Sequence, residues 1–254
     1  MHDSLWSIPL LFLAGAFGGL IDSIAGGGGL ITLTTLLALG LPPQAALGTN
    51  KFQSSFGSFT ATAYHIRKKN ISLNGDARFG VLCTLAGAAL GAWAVQQIHS
   101  DALGRIIPFL LVGVLIYAVF TPKLGERDSQ SKLSNTSFYL LIGTTLGFYD
   151  GFFGPGVGTF WAFALVLLRG FNLARATGYT KLMNFTSNIV SLAVFAVGGN
   201  VLPLYAISMA AGQIAGAQIG SRLVVSKGAA FIRPFIMVVV FITMLKLFYD
   251  KFLH

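Results

Sequence analysis

Charge is what this chain has least of. Asp, Glu, Lys and Arg together make up 10% of 254 residues, and the mean hydropathy is +0.74; ordinary soluble domains carry roughly 25% charged residues. So little charge excludes a soluble fold, because one or two domains of this size cannot bury nearly every helix on all sides. Cysteine is nearly absent too. A single Cys83 excludes an internal disulfide and a thiolate metal cluster, and leaves a small residue for a helix interface. The first residues, "MHDSLW", lack the basic stretch of a signal peptide, so the first apolar segment is expected to stay in the protein. No GK[ST] phosphate loop, HExxH or CxxC occurs, which leaves ATP hydrolysis and metal-assisted hydrolysis without their residues. His2, His65, His99 and His254 all fall at ends or loops and are expected to be solvated. The expectation is a protein that is no enzyme and holds no cofactor or metal. The sequons at Asn70, Asn135 and Asn184 are chance matches, two on the expected cytoplasmic face and one inside a helix.

What is present is apolar sequence in long runs. Segments able to cross about 30 Å of hydrocarbon fall at 5–21, 28–40, 48–64, 77–97, 104–121, 136–150, 156–170, 178–198, 202–222 and 231–250. The first and second, like the sixth and seventh, are short and separated by a glycine-rich break. Each such pair crosses twice or dips in and returns, so the fold class is an all-α polytopic membrane protein of 8–10 segments.

The second half repeats the first. "GLIDSIAGGGG" falls on "GFYDGFFGPGVG", setting Asp22 on Asp150, Gly26 on Gly154 and Gly28 on Gly156. Downstream, Gly48 falls on Gly178 and Lys51 on Lys181, then Gly87 and Gly91 on Gly216 and Gly220, all at offsets of 128 to 130 residues. The positive charges test orientation independently. Arg67, Lys68, Lys69, Arg78, Lys123, Arg127, Lys132, Arg169, Arg175, Arg222, Lys227 and Arg233 fall on one face, while Arg105, Lys246 and Lys251 fall on the other. The loop at 65–76 is basic and its counterpart at 198–203 carries no charge, so equivalent loops lie on opposite sides. Residues 1–125 and 136–254 therefore read as two inverted repeats joined by a cytoplasmic linker, 126–135, with both termini periplasmic. The net charge of +9 then anchors the chain in the bilayer, and no nucleic-acid partner is expected.

Four charges lie within or at the ends of apolar segments: Asp22, Lys51, Asp150 and Lys181. Each costs roughly 2.5–3.5 kcal/mol on insertion scales. One reading makes them neutralising pairs that lock broken helices together; the other makes them a midplane site where lysines balance an anion and an aspartate carries a proton. The two readings are compatible. Gly26, Gly27, Gly28 and Gly29 let the backbone leave helical geometry, with a helix restarting from Leu30, and Gly154 and Gly156 do the same around Pro155. A restarted helix aims its positive end at the break, which suits an anion. Gly87/Gly91 and Gly216/Gly220, spaced by four, suit close helix packing instead. Around the lysines the chain is polar: Thr49, Asn50, Gln53, Ser54 and Ser55 in one half, Tyr179, Thr180, Asn184, Thr186, Ser187 and Asn188 in the other. Gln213 is a further donor expected to point inward, to a ligand or to a neighbouring helix.

"GLIDSIAGGGG…TNK" and "GFYDGFFGPGVGTF…KLMNFTSN" resemble the signatures of the TauE/SafE-type sulfite exporter family, also called the toluene sulfonate uptake permease family, closest to its YfcA-like bacterial branch. The resemblance runs through nearly the whole chain. It implies a bacterial inner-membrane secondary transporter with two inverted halves, exporting small sulfur-containing anions such as sulfite or sulfonates by proton-coupled alternating access. The glycine breaks, aspartates and lysines of the family fall here on Asp22, Gly26 to Gly29, Asn50, Lys51, Asp150, Gly154, Gly156 and Lys181; Asn50 becomes Thr180 in the second half, so the site need not be symmetric. The expected site thus takes Lys51, Lys181, Asn50, Thr49, Gln53, Thr180, Asn184, the six break glycines and Gln213 for the anion, and Asp22 and Asp150 for protons. A passive anion channel on the same frame is the alternative. Partners are the anion, protons and the bilayer, and a homodimer is compatible with the sequence.

Overall fold

The computed structural model describes residues 7–119 and 128–226, and among them there are helices and no strands. The tenth expected segment, 231–250, both termini, and Lys123, Arg127, Lys227, Arg233, Lys246 and Lys251 lie outside the described residues. In chain order the helices are α1 (Ser7–Ala25), α2 (Gly28–Ala38), α3 (Pro43–Arg67), α4 (Gly75–Gln96), α5 (Ser100–Val119), α6 (Asn135–Phe138), α7 (Thr144–Phe152), α8 (Val157–Arg169) and α9 (Leu173–Val197). A π-helical stretch, Tyr139–Gly143, joins α6 to α7 into one continuous rod. Residues 203–226 are also helical and are called α10.

Local chemistry sets the boundaries. Pro42 and Pro43 start α3 five residues before its apolar run, since proline is preorganised for a first turn. The Asn74 and Asn172 side chains cap α4 and α9, accepting from Ala77 N at 3.0 Å and Arg175 N at 2.9 Å. α1, α4 and α9 are long and apolar enough to cross a membrane. α3 equals α9 in length, but polar site residues lower its hydropathy. α2 has 11 residues and α8 has 13, about 16 and 20 Å of helix, short of a 30 Å core. Each folds back along the helix before it, so the short pairs are broken hairpins.

The repeat is visible element by element: α1 corresponds to α6–α7, α2 to α8, α3 to α9 and α4 to α10. Packing exchanges these elements between the halves. α4 lies on α7, and a Cβ on Gly87 or Gly91 would stand 2.1 Å from Thr144 O or Phe148 O. α10 lies on α1, where a Cβ on Gly212 or Gly216 would stand 2.0 Å from Phe12 O or 1.9 Å from Ala16 O. Such backbone contact is open only to glycine and fixes the exchange. α3 and α9 cross at the centre of the molecule. An apolar cluster lies towards each end, one with Leu33, Leu47, Phe153 and Phe195, the other with Phe138, Trp161, Leu165 and Met183. Phe17, Leu82, Leu90, Trp93 and Phe109 point outward, as lipid contact requires.

The ends of the molecule are symmetric in construction and unlike in charge, one basic and the other with an uncharged loop. After α9, Asn200 seats its carbonyl over Gly48 and Leu202 N donates to Thr49 Oγ1 at 3.1 Å. After α3, Ile71 sits over Gly178 beside His65 of the last turn of α3, and Ser72 N donates to the Tyr179 hydroxyl at 3.4 Å. Lys69 (φ 57) turns the chain out of α3 as Gly199 (φ 70) does out of α9. Arg67, Lys68, Lys69, Arg78, Lys132, Arg169, Arg175 and Arg222 all gather at the end of the molecule where α3 finishes. Residues 129–133 of the expected linker fold back on the end of α8, with Ser129 N donating to Gly170 O at 2.7 Å.

Candidate functional site

The two helix breaks meet at the centre. Gly26 has φ 81 and touches Gly158, whose Cα lies 2.5 Å from where a Cβ on Gly26 would be; Gly154 has φ 99. Both are left-handed positions that side chains resist. The Tyr149 hydroxyl donates to Pro155 O at 2.7 Å and fixes the second break. α2 restarts at Gly28, two residues before the expected Leu30, because Gly26 and Gly27 alone complete the turn. No side chain caps α2 or α8 at its start, so both present the positive ends of their dipoles to the crossing.

The four intramembrane charges form two pairs, each across the halves. Lys51 on α3 reaches Asp150 on α7, with Nζ 2.6 Å from Oδ1, and also donates to the Asp150 carbonyl and, at 3.3 Å, to Asn188 Oδ1. The Ser187 hydroxyl donates to the other Asp150 oxygen. Lys181 on α9 reaches Asp22 on α1, with Nζ 3.1 Å from Oδ2, and donates to the Asp22 carbonyl. Both lysines are buried. Asp150 is 2% exposed and Asp22 22%, so the pairs are unequal.

A cavity of about 20 Å³ separates them, room for roughly one water molecule. It brings together Asp22, Gly26, Gly29, Asn50, Lys51, Asp150, Gly154, Gly156 and Asn184 from the expected set. It also takes in Ser54 and Asn188, which the sequence marks as polar neighbours of the lysines without placing them in the site, and Val157. Behind Asn50, and outside the cavity's lining, Thr32 donates to Asn50 Oδ1 at 2.6 Å, and Gln53 Nε2 donates to the same oxygen at 2.8 Å and to Thr32 at 3.1 Å. Thr32 had no signal in the sequence beyond lying one turn into a helix after a glycine break.

Several expected residues serve elsewhere. Thr49 holds the loop after α9. Gly28 lets α2 close on α1, its Cβ position 2.0 Å from Gly18 O. Gly27 is the residue before α2. Neither Thr180 nor Lys181 lines the cavity; Lys181 reaches it only through its partner Asp22. Gln213 wedges against Gly19 and Gly57 in the seam of α1, α3 and α10. His65 is a correction: α3 runs past it to Arg67, so it is fully buried rather than solvated, with Nδ1 3.3 Å from Asn70 Nδ2.

Comparison with known proteins reaches most of the chain. The family model described as Sulfite exporter TauE/SafE matches residues 11–247. The chain is similar to the probable membrane transporter protein YfcA of Escherichia coli, 47% identical over 96% of this chain and 90% of that protein. A probable membrane transporter protein of Haemophilus influenzae is 43% identical over 96% and 95%. The probable membrane transporter protein YjnA of Bacillus subtilis is 26% identical over 84% and 89%. No solved structure matches.

Proposed function

Because the chain belongs to the sulfite exporter TauE/SafE family, we propose that it is a secondary transporter of the bacterial inner membrane, moving small sulfur-containing anions together with protons. The observation that carries this reading is the pair of crossed ion pairs around one small cavity. Two lysines and two aspartates sum to zero, which is the cheapest charge state for a site at membrane depth. A monovalent anion entering alone would leave a net charge there. An anion entering with one proton would not.

The chemistry follows from the contacts. Protonating Asp22 or Asp150 releases its lysine, and the anion takes the carboxylate's place on the Nζ. Asn50, Asn184, Asn188 and the starts of α2 and α8 supply further donors around the same space. With neither proton nor anion, the lysines return to the aspartates and the site closes. The loaded and empty forms are both neutral, so both can pass through alternating access, whereas a half-loaded form is held back by its charge. The two inverted halves, 1–125 and 136–254, would rock about α3 and α9. We assign the basic end to the cytoplasm; with the ten segments read from the sequence, both termini would then lie outside it. Proton and anion then travel in the same direction, and the carrier exports when the cytoplasmic anion is in excess.

Flux from proteoliposomes loaded with sulfite, alkanesulfonate, sulfate or chloride tests the reading. Efflux of a sulfur-containing anion that saturates and accelerates when the lumen is acid supports it. Efflux that neither saturates nor responds to the pH gradient would make the protein a passive anion channel.

A further inference from the structure

A second site lies far from the crossing, at the basic end. There α3 and α10 part around a cavity of about 520 Å³, walled by Phe59, Tyr64, Arg67, Lys68, Gln218 and Arg222. The three cations have no carboxylate partner among the described residues. Lys68 lies over the Tyr64 ring, 6.0 Å from its centre. Phe59 is 54% exposed, and it sits two turns deeper along α3 than Arg67. The groove is therefore basic at its mouth and apolar below.

The repeat supplies an internal control for this feature. The equivalent place at the other end lies between α9 and α4, where Val197, Gly198 and Trp93 stand for Arg67, Lys68 and Arg222. None of these three is a cation. Gln96 closes that seam: its Nε2 donates to Val194 O at 3.3 Å, its Oε1 accepts from Asn200 at 3.1 Å, and a Cβ on Gly198 would meet that oxygen at 2.0 Å. The residue of α10 equivalent to Gln96 is Val225, which has no group to bridge the helices. Where one end of the molecule has a polar clasp, the basic end has an open groove lined with positive charge.

We propose that this groove binds the phosphate headgroup of an anionic phospholipid, with Arg67, Lys68 and Arg222 on the phosphate and Phe59 and Tyr64 along the start of an acyl chain. A soluble anion would use the charges and waste the apolar wall. A zwitterionic lipid would use the wall and meet the cations with its own positive group. An anionic lipid uses both, and basic pockets between helices on the cytoplasmic side are where such headgroups bind. The bound lipid would tie the end of α3, which carries Lys51, to α10.

Thermal unfolding of the full-length protein in a neutral detergent tests this, with short-chain phosphatidylglycerol, short-chain phosphatidylcholine or inorganic phosphate added. Phosphatidylglycerol is expected to raise the midpoint in a saturable way, and the other two to leave it in place. Each cation removed should weaken the response about fivefold, so Arg222→Gln needs about five times more lipid and Arg67→Gln/Arg222→Gln about 25 times more. Lys132→Gln, at the same end but outside the groove, should respond like wild type. An equal effect of phosphate would make this a free-anion pocket. An unchanged response in Arg222→Gln, an exposed residue whose loss does not threaten folding, would place the lipid elsewhere. A loss in Lys132→Gln matching that in Arg222→Gln would reduce the effect to the general charge of that end. Any of the three overturns the proposal.

Discussion

The two Lys–Asp pairs descend from one pattern and differ in how tightly they are held. Lys51–Asp150 is sealed, with Ser187 on the second carboxylate oxygen and Asn188 on the lysine. Lys181–Asp22 has neither support. The residue equivalent to Ser187 is Gly57, whose missing side chain leaves room for Gln213, and Asp22 keeps 22% of its surface open. Duplication therefore supplied two frames, and substitution made one a lock and the other an opening. In the proposed cycle Asp22 exchanges with the aqueous side first, and Asp150 follows once its hydroxyl partner lets go.

The largest way to break this comparison is Lys51→Ala. It strands Asp150 in a sealed site, where an uncompensated charge costs about 3–5 kcal/mol, and it should abolish flux; Lys51→Ala/Asp150→Asn should recover most of the stability but not the flux. Thermal or denaturant unfolding beside anion efflux reads both. Gly26→Ala comes next. A side chain there meets Gly158 backbone and adopts a left-handed conformation, costing about 1–3 kcal/mol before any steric term. It should pull the two pairs apart and lower flux at least tenfold, whereas Gly29→Ala, with 3.5 Å to Pro155 Cα, should be mild.

Lys181→Ala should also stop flux, but at a smaller cost in stability of about 1–2 kcal/mol, because Asp22 can hydrate. Equal losses for the two lysines would erase the distinction between lock and opening. The smallest effect is expected from Ser187→Ala, about 1 kcal/mol for one hydrogen bond. It should make Asp150 react with a water-soluble carbodiimide at a rate closer to that of Asp22, as peptide mass mapping of the labelled protein would show.

Much of this was legible before the structure. Paired breaks, paired aspartates and paired lysines stand at a constant offset in the sequence, and the basic loops mark one end. The partners were not legible. Asp22 is nearer to Lys51 than to Lys181 along the chain, yet it meets Lys181, because α1 is held by α10 and α7 by α4 through glycine contacts. A stripe of small residues announces close packing without saying which helix it meets. His65 misled for a different reason: it follows the apolar run of α3, but Pro42 and Pro43 start that helix early and its backbone continues to Arg67, so a residue expected in a loop lies in the interior. Thr49 and Gln213 were polar at membrane depth and therefore candidates, and both turn out to close seams between elements. Polarity alone cannot separate a ligand contact from a clasp.

The central claim is that the site stays neutral, so that each monovalent anion crosses with one proton. Simultaneous recording of anion efflux and luminal pH, in proteoliposomes whose membrane potential is clamped with potassium and valinomycin, tests it most directly. One proton per anion, at a rate unchanged between clamped potentials, is the predicted result. Anion flux that follows the potential and leaves luminal pH untouched would contradict it.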